Sequence, residues 1–120
     1  MIKLSGTTSF QWSTSEQVYP LEKATDGSTL YAKQIDYESG LPANGRAGVP
    51  HGVGSLVAHK MHRIEIDARS ADNTYQIPVP YAGGTGYLAS YQLEGNEIAL
   101  YTNWNAVAYT SVRIRLVYKK

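Results

Sequence analysis

The stretch that decides the fold is 111–119, which reads SVRIRLVYK. Its apolar residues recur at every second position, as Val112, Ile114, Leu116 and Tyr118. Successive side chains of a strand point to opposite faces, so this period of two places one face in a core and leaves a largely polar face outward. We therefore predict a terminal strand with Ile114 and Leu116 buried, and with Val117 on the outward face.

Two further strand patterns precede this stretch. Residues 97–102 alternate again, with Ile98 and Leu100 on one face, and residues 88–93 supply a partner strand. Between them Gly95-Asn96 is typical of a tight hairpin turn of type II′. With a loop at 103–107, the last third of the chain predicts a three-stranded antiparallel meander. One apolar face of that sheet needs a cover, which the preceding residues must supply.

The earlier part of the chain also favours short strands. A turn at 26–28 leads into a predicted strand at 29–36, and a second strand is predicted at 57–68. The prolines in 75–80 confine a third strand to a sheet edge, because proline cannot donate to the ladder. Residues 40–54 hold so many Gly, Pro and Asn residues that we predict a long loop there, and 83–86 a flexible connection. No segment has helical spacing, so we predict an all-β fold, an antiparallel β-sandwich.

Length and composition narrow the classes of function. The 120 residues suffice for one domain, which we place at 21–120, with 1–20 as a lead-in segment or linker. A net charge of +1 lacks the basic field that nucleic-acid binding needs. There is no cysteine for disulfides or thiolate metal sites. The sequence has neither a signal-peptide run in 1–6 nor an apolar stretch of spanning length, so we expect an intracellularly made protein without membrane insertion.

The histidines do not predict a metal site. His59 and His62 are three residues apart, which in a strand places them on opposite faces. His51, in the predicted loop, is expected to be a structural hydrogen-bonding residue that fixes the loop. We predict no metal and no cofactor.

The carboxylates do not predict catalysis. Glu65 and Asp67 share one strand face, as glycoside hydrolysis would require of a carboxylate pair. Beside Arg63 and Arg69, such alternating acids are more typical of a solvated, ion-paired surface. The sequence contains no nucleophile elbow, phosphate loop or zinc signature. We therefore expect a binding domain rather than an enzyme, with no catalytic residues.

An ordered set of short motifs over about Ser15–Lys120 resembles the C-terminal domain of tailed-bacteriophage tail fibre, tail spike and other receptor-binding proteins. The motifs are Ser15-Glu16-Gln17-Val18, Asp26-Gly27, Leu30-Tyr31 with Lys33, Ile35-Asp36, Leu41-Pro42, His51-Gly52-Val53 and Ile77-Pro78-Val79-Pro80-Tyr81. The chain departs from the family pattern at Ala24-Thr25, Ser28-Thr29 and Pro50, where tryptophan, Lys-Pro and alanine are common.

This resemblance implies a homotrimer at the distal tip of a fibre. It implies a virion protein made in the host cytoplasm, joined to an N-terminal fibre shaft, that recognises a bacterial surface polysaccharide or lipopolysaccharide. The alternative is a purely structural trimerisation or capping domain of a fibre or depolymerase spike. In trimeric spikes of this kind paired histidines sometimes hold a metal on the axis, which leaves symmetry-related copies of His59 and His62 as a further alternative.

If the domain binds a glycan, loop aromatics and amides are the candidates, because a ring stacks on a pyranose while amides bond its hydroxyls. Asn103, Trp104 and Asn105 fit this description, because a tryptophan between two asparagines on a loop is less easily explained by core packing than one inside a strand. The sequence does not specify which way the Trp104 ring faces, and packing in the trimer is the main alternative role for it. Tyr81 and Tyr87 flank the glycine-rich connection and rank second. Trp12 is interpreted as a stalk or subunit contact.

Overall fold

The chain is all-β in the computed structural model, which describes residues 10–54, 60–83 and 86–120. Nine strands lie within these residues. They are β1 Gln17–Lys23, β2 Thr29–Tyr37, β3 Arg46–Pro50, β4 Met61–Ser70, β5 Gln76–Val79, β6 Tyr81–Ala82, β7 Leu88–Glu94, β8 Glu97–Thr102 and β9 Tyr109–Tyr118. Nowhere in those three ranges is there a helix with the length and apolar character to cross a membrane.

The strands form two antiparallel sheets. One has five strands in the order β1-β2-β9-β4-β5, and the other has four in the order β3-β8-β7-β6. A single cluster of buried side chains draws on both sheets, with Ile66 and Ile114 from the first and Val49, Ile98 and Leu100 from the second. The two sheets thus cover each other's apolar faces, as in a β-sandwich.

β9 is the central strand of the five-stranded sheet and pairs with β2 on one side and β4 on the other. Ile114 and Leu116 are both fully buried, which confirms the predicted register. Val117 corrects that prediction in one respect. It lies on the outer face as expected but is only 1% exposed, because a second cluster of side chains covers it.

The outer cluster is formed by Tyr19, Leu30, Ala32 and Val117, with Phe10, Trp12 and Ala24 packed against it. Phe10 lies edge-on to Tyr19 with ring centroids 5.1 Å apart. The amide of Gln34 donates to the Ser13 carbonyl at 2.8 Å, which ties the incoming chain to β2. The domain boundary expected after residue 20 falls inside β1, while residues 1–9 of the expected lead-in segment lie outside the described part.

The predicted C-terminal meander is not what the chain forms. β7 and β8 do pair as the expected hairpin, joined by Gly95 and Asn96, and Gly95 has the positive φ of 60° that the first position of a type II′ turn requires. The loop after Thr102 then carries the chain to the other sheet, where β9 pairs with β2 and β4 instead of β8. Alternating residues specify which face of a strand is buried, but not which strand lies beside it.

The predicted loop at 40–54 is also wrong in part, because β3 lies within it and pairs with β8. Two features allow the proline and glycine of β3 to lie in a strand. β3 is an edge strand, where Pro50 is tolerated. Gly48 leaves room for the Glu97 carboxylate, which a side chain at that position would strike. Arg46 holds the same carboxylate at 3.0 Å and that of Glu94 at 2.9 Å.

Other expectations are confirmed. The proline-containing strand β5 lies at the edge of its sheet, and β2 spans the stretch predicted at 29–36. β4 covers the later part of the strand predicted at 57–68 and continues to Ser70. The start of that prediction, residues 57–59, lies outside the described ranges.

The burial of β9 predicts a large stability difference between two Leu→Ala variants. Leu116 is fully buried, whereas Leu88 is 52% exposed. Leu116→Ala should lower the free energy of unfolding by about 2 to 5 kcal/mol, because it removes packed methyl groups and leaves a cavity. Leu88→Ala should change it by less than about 1 kcal/mol. Urea unfolding at one fixed protein concentration measures both, and equal losses would contradict the assigned burial.

A candidate ligand-binding site of stacked aromatic rings

Three of the predicted site residues meet at one end of the four-stranded sheet. Tyr81 lies in β6, Tyr87 immediately precedes β7 and Trp104 follows β8, and these strands are neighbours in the order β8-β7-β6. The Tyr87 and Trp104 rings stack with centroids 5.3 Å apart and planes 23° apart. Tyr81 lies 6.2 Å from Trp104 at a tilt of 52°. We call these three residues the aromatic cluster.

The three rings of the aromatic cluster differ in exposure to solvent. Trp104 and Tyr81 are half-buried and pack against the main core. Tyr87 is 48% exposed and presents the cluster to solvent. Trp104 is less exposed than Tyr87 because the Tyr87 ring stacks on one of its faces and covers it.

Asn103 positions Tyr87 through both ends of its side-chain amide. Its Oδ1 accepts a hydrogen bond from the Leu88 amide at 2.7 Å, and its Nδ2 donates to the Gly86 carbonyl at 2.9 Å. These two bonds hold the residues on either side of Tyr87. A main-chain bond from the Asn103 amide to the Leu88 carbonyl, at 3.1 Å, adds to them.

The glycines beside Tyr87 shape the connection from β6 to β7. Gly86 has φ of 86°, a conformation that side chains disfavour, and its amide donates to the Gly83 carbonyl at 3.1 Å. A β-carbon at Gly83 would lie 3.0 Å from the Tyr81 hydroxyl, so the glycine also makes room for that ring. Residues 84 and 85 of the predicted flexible connection lie outside the described ranges.

Asn105 is the amide that stays available in this region. It is exposed, and its Oδ1 accepts only a long bond of 3.4 Å from the Val107 amide. Its Nδ2 donates to nothing among the residues that the structure describes. Asn105 also forms an isolated antiparallel bridge with Ala43, which fixes its backbone.

A shallow apolar depression adjoins the aromatic cluster at Tyr81. It has a volume of about 370 Å³ and is lined by Pro80, Tyr81, Ala82, Leu88, Ala89 and Ser90. Our prediction from sequence missed Leu88, although a large apolar residue directly after Tyr87 at the start of a strand was a usable signal. An exposed ring near an apolar depression is an arrangement that can stack on a sugar.

His51 confirms the structural role predicted for it. The side chain is 1% exposed, and its Nδ1 accepts from the Val53 amide at 3.0 Å. Nε2 therefore carries the proton and donates to the Gly95 carbonyl at 2.8 Å. The imidazole thus fastens the residues after β3 to the β7–β8 turn.

The other polar candidates lie on the surface of the five-stranded sheet. His62 contacts Glu22 at 3.1 Å, while His59 lies outside the described ranges. Asp67 is paired with Arg113 at 2.6 Å, which confirms the ion-paired interpretation for this carboxylate. Within the part of the chain that is described, no three His, Asp or Glu side chains gather as a metal site would need.

Trp12 packs against aromatic and basic side chains of its own chain. Its ring lies 5.2 Å from Phe10 in an edge-to-face arrangement, and the guanidinium of Arg115 lies 5.0 Å from its centroid. The predicted stalk or subunit contact stays a prediction.

Comparison with known protein families, characterised proteins and solved structures found no significant match. The resemblance to phage tail fibre tips therefore stays a prediction from the motifs alone.

The geometry predicts different effects for the two asparagines that flank Trp104. Asn103→Ala removes two side-chain hydrogen bonds, each worth about 0.5 to 1.5 kcal/mol, and should lower the free energy of unfolding by about 1 to 3 kcal/mol. Asn105→Ala should leave it nearly unchanged. Urea unfolding followed by tryptophan fluorescence compares them, and an Asn105 effect as large as that of Asn103 would refute the assigned roles.

Proposed function

We propose that this chain is the trimeric tip domain of a phage tail fibre or spike, and that it binds a bacterial surface glycan through the aromatic cluster. The observation that carries the proposal is the stacking of the exposed Tyr87 on Trp104 at 5.3 Å. A ring held in this way loses little conformational freedom when a ligand binds, so more of the contact energy appears as affinity.

Each member of the site has its own part in this proposal. Tyr87 provides the stacking surface, Trp104 supports that ring from beneath, and Tyr81 joins it to the apolar depression. Asn105 donates to sugar hydroxyls, while Asn103 fixes the segment that carries Tyr87. The domain has no catalytic residue and needs no cofactor, and its partners are the glycan, two further copies of the chain and a fibre shaft.

The motifs quoted above support the phage assignment, and with it a virion location. Two exposed apolar residues on an edge strand support self-association. Val18 and Leu21 in β1 are 56% and 46% exposed, and β1 ends the five-stranded sheet. Among the described residues β1 pairs only with β2, and a strand edge with exposed apolar side chains is a ready surface for another chain.

The same edge also favours the second candidate function, a structural trimerisation or capping domain that binds no ligand. The two functions differ in what the aromatic cluster does. In the structural alternative the Tyr87 ring is only a packing residue, and its removal alters stability without altering adsorption to a host.

Replacing Tyr87 separates these alternatives. Tyr87→Ala should weaken glycan binding about tenfold or more, since a stacked ring contributes about 1 kcal/mol beyond the area that it buries and 1.4 kcal/mol is tenfold in affinity. Tyr75→Ala is the matched control, because Tyr75 is 65% exposed and lies outside the aromatic cluster. The measurement is binding to an array of bacterial capsular and lipopolysaccharide glycans. Equal binding by both variants would refute the aromatic cluster as the site.

The proposed assembly has its own test. Light scattering should give a particle of three times the 13.2 kDa chain mass. The melting temperature should also rise with protein concentration, because association then contributes to stability. A monomer at micromolar concentration would overturn the trimer.

A further inference from the structure

A second concave surface lies on the outer face of the five-stranded sheet. It has a volume of about 270 Å³ and is lined by Trp12, Tyr19, Arg63, Glu65, Arg115 and Val117, which we call the arginine groove. Its size lies just below the range of about 300 to 1,000 Å³ for pockets that take drug-sized ligands, which suits a ligand the size of one sugar ring. It shares no residue with the aromatic cluster.

Two arginines line this groove, and among the described residues only one of them forms an ion pair within 4.0 Å. Arg63 is paired with Glu22 at 2.6 Å and donates to the Tyr19 hydroxyl at 2.9 Å. Arg115 donates through Nε to the Gln34 amide oxygen at 2.9 Å. Its two terminal nitrogens make no hydrogen bond and no ion pair with any described residue.

Burial disfavours the charge on Arg115. Burial, and then repulsion from Arg113, hold the pKa of Arg115 below its ordinary value, although Glu65 and Asp67 act in the opposite direction. The guanidinium lies 5.0 Å from the centroid of the Trp12 ring, and with the bond from Nε to Gln34 this contact holds the group in place. A fixed guanidinium with two open nitrogens matches the geometry of a carboxylate, which it can bind through two parallel hydrogen bonds.

Glu65 restricts which anions fit. Glu65 in β4 lies directly opposite Arg115 in β9 in the strand register. It is exposed and forms no ion pair within 4.0 Å among the described residues. Its charge repels a second anionic group, but its oxygens accept hydrogen bonds from hydroxyls. A ligand with a single carboxylate and several hydroxyls satisfies both side chains.

We propose that the arginine groove binds an acidic saccharide of the uronic acid class, with the carboxylate on Arg115 and ring hydroxyls on Glu65. This is a second site, independent of the aromatic cluster, so either site can fail while the other stands.

Titration of the full chain with methyl glucuronide tests the proposal by NMR. The backbone signals of β4 and β9 at the groove should shift with glucuronide, and about tenfold more of the neutral methyl glucoside or of acetate should be needed for the same change. If methyl glucoside shifts the signals as strongly as methyl glucuronide, the carboxylate and therefore Arg115 play no part in binding. If acetate does so, the groove binds anions without recognising the sugar ring. Either result overturns the assignment of a uronic acid as the ligand.

Variants locate the binding. Arg115→Gln should weaken glucuronide binding about tenfold or more, and Arg115→Lys should retain part of it, because lysine keeps the charge but not the paired donors. Arg46→Gln is the control, since Arg46 lies on the four-stranded sheet and loses the same charge. Thermal melts of all three confirm folding. Undiminished binding by a folded Arg115→Gln, or the same loss in Arg46→Gln, would contradict the site.

Discussion

The structure depends on one strand that is covered on both faces. β9 pairs with β2 over seven residues and with β4 along most of its length. Leu116 and Tyr118 enter the core between the sheets, while Val117 enters the outer cluster under Tyr19. Because β9 contributes side chains to both clusters, the packing on both faces of the five-stranded sheet depends on this strand.

The aromatic cluster forms at the end of the four-stranded sheet, where β8 ends and β7 begins. β8 ends at Thr102 just where β7 begins, and Asn103 joins the two ends through its side chain. The loop from β6 reaches the same point, so three aromatic rings from three segments pack on one another. The arrangement fixes Tyr87 by contacts that are internal to the chain, which is the condition for a binding surface that is formed before its ligand arrives.

Much of the fold could be predicted because it is local. The alternation in 111–119 predicted the buried residues of β9, the prolines predicted the edge position of β5, and Gly95-Asn96 predicted the hairpin. What failed was non-local. The partner of β9 depends on where the loop after Thr102 leads, and β3 exists because β8 offers it an edge. The residues of the aromatic cluster were predicted from their types and positions, but their exposure depends on which ring covers which, and the sequence does not specify that order.

The chain has only two tryptophans, and each reports on a different surface. Trp104 belongs to the aromatic cluster and Trp12 to the arginine groove, so their indole N–H signals in an NMR spectrum can be assigned with a Trp12→Phe variant and followed separately. The central claim is that the aromatic cluster is the site of glycan recognition. Addition of a bacterial surface polysaccharide that the domain binds should therefore shift the Trp104 indole signal. Binding of that polysaccharide with the Trp104 signal unmoved would contradict the claim.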